Sequence, residues 1–299
     1  MGIKFKRMGH VAIHVADVGR SLKFYRDLLG LKPGPRTYGS VIETYDLPRD
    51  GRIAVAEWLH PSAKRGAPCQ AWVDQLRRVL RPGDVAIDIG AQTGDTTLPM
   101  ALAVGPTGLV LALEPNPYVF PVLERTATLN PAKLRIVPLM FAAMRADGEY
   151  EFQYGEPGFS NGGFHEGVSK WLHGSAFTLR VRGRNLQDFL RREHPELIPR
   201  IRFIKVDAEG FDLAILNTLD DLIRERRPYL QVEMFALRKS PPNYRRELYD
   251  FLVGHSYVVH RMDPPHNILA DAITLDNLAH WETYDVLCVP PGASLEHAS

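Results

Sequence analysis

Two short stretches hold the residue types whose spacing can do chemistry. The first, Asp84-Val-Ala-Ile-Asp88-Ile-Gly90-Ala-Gln92-Thr-Gly94-Asp-Thr96-Thr97, sets a carboxylate two residues ahead of a Gly-x-x-x-Gly pair. The second, Phe203-Ile-Lys205-Val-Asp207-Ala-Glu209-Gly210-Phe-Asp212, carries a cation and two carboxylates at alternate positions up to a glycine. Glycines that turn a buried strand into a helix open a crevice where backbone meets ligand. A dinucleotide needs Gly-x-Gly-x-x-Gly, so that backbone N–H groups reach a pyrophosphate. Here the spacing differs, and residues 84–100 hold three aspartates with no Lys or Arg. A diphosphate of about two negative charges is repelled in a partly dry crevice of that sign. S-adenosylmethionine has no phosphate, carries a sulfonium and an ammonium, and suits it.

The elements that position these groups read as an alternating series. Val85–Ile89 reads as a strand buried on both faces, and residues 96–104 as the helix after the glycine turn. Residues 109–113 form the next buried strand, closed by Glu114-Pro-Asn116-Pro. An acid at that place, about 20 residues beyond the glycines, is the expected partner of ribose hydroxyls. The expected donor-contacting residues are therefore Asp88, Gly90, Gln92, Gly94, Thr96, Thr97, Glu114, Asn116 and Asp207. Residues 139–144 read mainly as core, with Ala142 and Ala143 small enough to leave room for an adenine.

With these residues the first stretch resembles the class I methyltransferase motif, and residues 203–212 resemble the signature of the FkbM family of methyltransferases. The resemblance spans roughly residues 70–291 and departs from the commoner family text at Gln92 and Ala208. It implies an S-adenosylmethionine-dependent O-methyltransferase acting on a hydroxyl of a small molecule, such as a sugar or secondary metabolite. It also puts Asp207 beside the transferable methyl. Such a reaction is a direct displacement at carbon, so the protein must align the atoms and help remove the hydroxyl proton. Candidates for the catalytic groups are Asp207, Glu209 and His165, with His173 a further base candidate on the same loop. Glu233 could join Asp207 and Glu209 as oxygen ligands of a divalent cation, an option held open while no metal is expected.

The expected fold class is α/β: a Rossmann-like doubly wound, mostly parallel seven-stranded sheet. Strands are predicted at 134–141, 200–207, 229–235, 256–262 and 285–290 after the first two, and helices at 70–80, 118–129, 185–193, 212–226 and 243–254. Residues 145–184 interrupt this order with two strands, 149–154 and 177–181. Between them lies a glycine-rich loop holding Asn161 and His165, expected to cover donor or acceptor.

Residues 1–66 stand apart. A strand at 10–17, a helix at 21–29 and strands at 40–45 and 52–58 resemble half a module of the vicinal oxygen chelate superfamily, glyoxalases included. That resemblance would make His10 and Glu57 metal ligands, yet two ligands do not close a site. The segment is read as an α+β cap, or as a surface for homodimer formation, ahead of a donor-binding domain at 67–299. A net charge of +1 leaves no electrostatic footprint for nucleic acid or an anionic membrane. No apolar run spans a bilayer, no signal peptide is evident, and a cytoplasmic location is the expectation. Cys69 and Cys288 read as core residues. Two other readings of the same pattern are a nucleotide-dependent oxidoreductase and a non-catalytic binding module.

Overall fold

The structure, a computed structural model, describes residues 38–61, 63, 67–154, 162–163, 177–234 and 243–293. The predicted strand at 10–17, the helix at 21–29, Asn161, His165 and His173 lie outside these residues.

The compact unit that carries the large sheet runs from Thr37 to Ser299. It opens with an antiparallel hairpin, β1 (Ser40–Leu47) and β2 (Gly51–Trp58). The hairpin is fastened to the body of the unit, which therefore begins well ahead of the boundary expected at 66. Asn130 Oδ1 and Thr126 Oγ1 accept the N–H groups of Ala54 and Ala56, at 3.0 and 3.3 Å. Lys133 Nζ donates to the Asp50 carbonyl at 2.6 Å. Helix α1 (Gln70–Leu76) follows and buries Trp72, Val73 and Leu76.

The main sheet then builds from β3 (Val85–Ile89), α2 (Thr97–Val104), β4 (Leu109–Leu113), α3 (Phe120–Thr128) and β5 (Ile136–Leu139). Every residue of β3 and β4 is buried, as strands covered on both faces require. A smaller sheet interrupts: β6 (Ala142–Ala143), β7 (Gly148–Tyr154), β8 (Gly162–Gly163) and β9 (Phe177–Arg184), in the order β6-β9-β7-β8. The stretch predicted as one strand over 134–141 ends at Leu139, and Ala142–Ala143 turn away to pair with β9.

After α4 (Leu186–Glu193) the main sheet resumes with β10 (Ile201–Val206), α5 (Asp212–Thr218), α6 (Asp220–Arg226) and β11 (Tyr229–Met234). The helix expected over 212–226 is two helices joined at Leu219, a fully buried pivot. Last come α7 (Tyr244–Gly254), β12 (Val258–Asp263), β13 (Asn267–Ala272) and β14 (Tyr284–Val289).

Strand order is β13-β12-β14-β11-β10-β3-β4-β5, eight strands among the described residues where seven were expected. The missed strand is β13, which pairs antiparallel with β12, so no helix intervenes there. Strands β5, β4, β3, β10 and β11 run parallel, and β14 inserts antiparallel beside β11. Chain order reverses between β3 and β10, and that switch point opens a crevice at the carboxyl edge. Cys288 is buried in β14, whereas Cys69 is exposed just before α1 rather than in the core. No helix among the described residues is long and apolar enough to cross a membrane.

Candidate active site

At the switch point the ends of β3 and β10 can approach each other because Gly90 has no side chain. Its φ is +85°, and a Cβ built there would stand 2.0 Å from the Asp207 carbonyl oxygen. The ends of the two strands are thereby drawn together, and the Asp207 N–H donates to the Ile89 carbonyl at 3.1 Å. The turn after Gly90 is held from the other side, where the Gly90 and Ala91 N–H groups donate to Leu113 O at 3.1 and 3.0 Å. Gln92 takes φ +48°, the left-handed region that costs a non-glycine residue free energy and recurs at ligand sites.

A cleft of about 220 Å³ lies over this edge. Gly90, Gln92, Thr96, Glu114, Asn116, Asp207 and Glu209 all line it. The sequence separates these residues by more than a hundred positions, and the switch point brings them together. Asp88, Gly94 and Thr97 stand behind the cleft instead of in it. Asp88 is fully buried in β3, and its Oδ2 accepts the hydroxyls of Thr96 and Thr97 at 2.9 and 2.6 Å. It therefore ties the start of α2 to the strand. Gly94, at φ +93°, gives its N–H to Ala91 O, and a Cβ there would crowd Leu123 at 3.0 Å.

Glu114 closes β4 with a carboxylate already held at both oxygens. Oε2 accepts the Gln92 N–H at 2.9 Å and Oε1 the Asn116 N–H at 2.8 Å. Burial pushes its carboxyl up to about 7, against the pull of those two amides. Asn116 Oδ1 in turn accepts the Tyr118 N–H at 2.9 Å, which begins the run into α3. The small sheet supplies the apolar wall: Ala142 and Ala143 line the cleft with Phe141, Met144, Phe152 and Tyr154.

Residue types alone did not reveal Lys205 as part of the first constellation. It is the one cationic side chain among the described residues lining the cleft. Strand register sets it beside Asp88, and its Nζ lies 3.0 Å from Asp207 Oδ2 and 3.5 Å from Asp88 Oδ1. Burial opposes its charge, yet the carboxylates of Asp207, Asp88 and Asp285 hold it protonated well above the usual lysine range. The absence of cations from residues 84–100 is thus a local property that the neighbouring strand amends. Among the described lining residues four carboxyl side chains, from Asp95, Glu114, Asp207 and Glu209, outnumber Lys205 all the same.

Glu233, the further metal-ligand candidate, stands at the end of β11. It is pushed up to about 9 by burial and by the charges of Asp207, Asp212, Glu209 and Asp285. Its Oε2 is buried with no hydrogen-bond partner among the described residues, which also contain no group of three or more metal-ligating side chains. Glu57, on β2, accepts the Tyr45 hydroxyl. His255 is occupied structurally, its ring bridging Phe251 O and Asp220 Oδ1.

Similarity to known proteins follows the same residues. Over residues 7–35 the chain matches the model of the bleomycin resistance protein-like N-terminal domain. A methyltransferase of Sordaria araneosa, sdnD, is 30% identical over 156 residues, which is 45% of this chain and 60% of that protein. The match thus covers less than two thirds of that relative. Among solved structures, the methyltransferase FkbM from Methylobacillus flagellatus is 15% identical, with a TM-score of 0.41, over 73% of this chain and 51% of that one. Aeropyrum pernix fibrillarin, solved with natively bound S-adenosyl-L-methionine, is 13% identical with a TM-score of 0.41, over 87% of this chain and 98% of its own. The model of the methyltransferase FkbM domain matches residues 88–259, from the buried aspartate of β3 through β10 and β11 to β12, more than half of the chain. The chain belongs to the FkbM methyltransferase family.

Proposed function

We propose that the chain is an S-adenosylmethionine-dependent methyltransferase that methylates a hydroxyl of a small, uncharged molecule such as a sugar or secondary metabolite. The observation that carries this reading is the cleft at the switch point, where four carboxyl side chains face one lysine that is itself ion-paired. Bound S-adenosylmethionine supplies an electrophilic methyl on a cationic sulfur. The residues present fit it. Glu114, fixed by two backbone amides and left with free lone pairs, suits ribose hydroxyls. Ala142 and Ala143 leave space beside Phe141 for a flat base. Asp207, held by Lys205, gives a sulfonium a compensating charge. A dinucleotide would instead bring about two negative charges into an acidic cleft.

The chain's own chemical task is to align the acceptor and take its proton as the oxygen–carbon bond forms. Asp207 and Glu209 are the lining carboxylates at the end of β10 offered for that role, and His165 remains a candidate from the loop. Asp207 and Glu209 also disfavour a phosphorylated or carboxylated acceptor, which supports an uncharged one. Residues 1–66 take a supporting role in this reading, because Asp95, Glu114, Lys205, Asp207 and Glu209 are the charged groups of the described cleft lining.

Calorimetric titration with S-adenosylmethionine, with a nicotinamide dinucleotide as control, tests the reading. Binding of the methyl donor and not of the dinucleotide is expected. Binding of the dinucleotide alone would overturn it. Donor binding would then be followed by transfer of labelled methyl to a panel of neutral sugars and their phosphates, with label expected on the neutral members.

A further inference from the structure

Asp212 is fully buried and does not line the cleft, yet three donors converge on its carboxylate. Oδ1 accepts the Ala208 N–H at 2.9 Å, while Oδ2 accepts the Gly210 N–H at 3.1 Å and the Tyr244 hydroxyl at 3.0 Å. Between those two amides sits Glu209, a non-glycine residue at φ +52°. Left-handed backbone persists at such a residue only when its surroundings over-determine it. The same turn carries Asp207, whose carbonyl oxygen occupies the space that Gly90 leaves open. One buried carboxylate thus sets the path of the turn that presents both candidate proton acceptors.

Tyr244 ties this turn to a second element. It is the first residue of α7, and the residue after it, Arg245, is buried and donates to Met234 O at 3.0 Å and Trp281 O at 2.7 Å. The first turn of α7 therefore fastens the loop after β10 and the end of β11 together. Burial pushes Asp212 up to about 6, against the pull of the Ala208 N–H, and the charge of Asp207 adds to the rise. Its acceptor capacity is complete above that pH, because an ionised carboxylate accepts at both oxygens and donates nothing.

We propose that Asp212 and Tyr244 are positioning residues of the active site: they hold the turn 207–210 so that Asp207 and Glu209 face the methyl-bearing end of the donor. The inference rests on the methyl-donor reading above. Asp212→Asn replaces one acceptor with an amide NH₂, which faces either the Ala208 N–H or the Gly210 N–H and the Tyr244 hydroxyl together, and leaves that side unpaired. Tyr244→Phe removes a single hydrogen bond and keeps the ring.

The test compares the full-length chain with these two variants at pH 8. Amide hydrogen exchange is followed at Ala208 and Gly210, and calorimetry is run with S-adenosylmethionine and with its demethylated product, S-adenosylhomocysteine. In Asp212→Asn, exchange at both amides should quicken. Affinity for the donor should fall about tenfold, the size of a lost hydrogen bond to a charged group. Affinity for the product, which lacks the sulfonium, should fall less, so that the preference for donor over product shrinks. Tyr244→Phe should move both readouts in the same direction by less.

A folded Asp212→Asn chain with unchanged exchange at the two amides would overturn the proposal. So would faster exchange with equal losses for donor and product, since general loosening does not distinguish a sulfonium from a thioether. Should Asp212→Asn fail to fold, Tyr244→Phe decides between these outcomes on the same readouts. A wild-type chain that binds neither ligand would remove the donor reading and the positioning role with it, and exchange would then report on the hydrogen bonds alone.

Discussion

The two halves of the cleft solve the same electrostatic problem in opposite ways. On the β3–β4 side neutral donors come from the carboxylates' own neighbourhood: backbone amides hold both oxygens of Glu114, and threonine hydroxyls hold one oxygen of Asp88, whose other oxygen faces Lys205. On the β10–β11 side, Asp207, Glu233 and Asp285 come from neighbouring strands, and Lys205 is the cation that offsets Asp207 and Asp285. Gln231 spends its amide on Asp285 at 2.8 Å, and a Glu233 oxygen is left without a hydrogen-bond partner among the described residues. Donors built into the backbone come with the fold and cannot be lost by titration. A buried ion pair depends on both partners staying charged. The first half takes its hydrogen-bond donors from the backbone and nearby hydroxyls, whereas the second depends on one lysine.

That contrast can be broken most severely at Lys205. Lys205→Met leaves Asp88 buried with no opposing charge, and removing one partner of a buried pair costs about 3–5 kcal/mol. Chemical denaturation should record a loss of that size; a loss below about 1 kcal/mol, the range of surface pairs, would place Lys205 among ordinary exposed charges. Next in size is Gly90→Ala, which forces a left-handed alanine against the Asp207 carbonyl and should cost about 3 kcal/mol from strain and overpacking. The same method reads it, and near-neutral stability would mean that the two strand ends can part.

Smaller effects sharpen the comparison through pH. Glu114 sits at about 7 rather than its ordinary 4.5, so its protonated form is the one burial favours. Ribose hydroxyls need the ionised form as acceptor, so affinity for S-adenosylmethionine should rise as pH climbs from 6 to 8. Glu114→Gln should flatten that rise in calorimetric titrations, and a slope that persists would assign it to another group. Glu233 has the same sign of shift on the other half: raised to about 9, it stabilises the fold fully below the ordinary carboxyl range. That contribution is lost as pH rises through 9. Glu233→Gln, which cannot ionise, should therefore lower the sensitivity of the melting temperature between pH 7 and 9.5. An unchanged alkaline decline would show that Glu233 does not carry the charge crowding.

The halves also differ in how far the sequence discloses them. Gly90, Gln92, Glu114 and Asn116 lie close to strand ends that a purely apolar pattern locates, so their meeting in one cleft was legible. Asp88 was legible as an acid at the strand end but not as a group that stays out of the cleft lining; its two threonine partners sit at positions that could equally have met solvent. Tyr244 had no local signal at all. It reaches Asp212 across 32 positions, through the packing of α7 near the end of β10.

By itself the sequence determined the alternation of buried strands and helices, the glycine turn after β3, the acid closing β4 and the acidic turn after β10. These are local properties, dictated by burial periodicity and by φ values that only certain residues adopt cheaply. Only the tertiary structure decided that β10 lies against β3, setting Lys205 beside Asp88 and the Asp207 carbonyl where a side chain at Gly90 would stand. It likewise decided that β13 adds an eighth strand and that Ala142–Ala143 leave the main sheet for the smaller one. The reason is that strand neighbours and ion pairs depend on contacts between distant segments, which no single stretch of residues encodes.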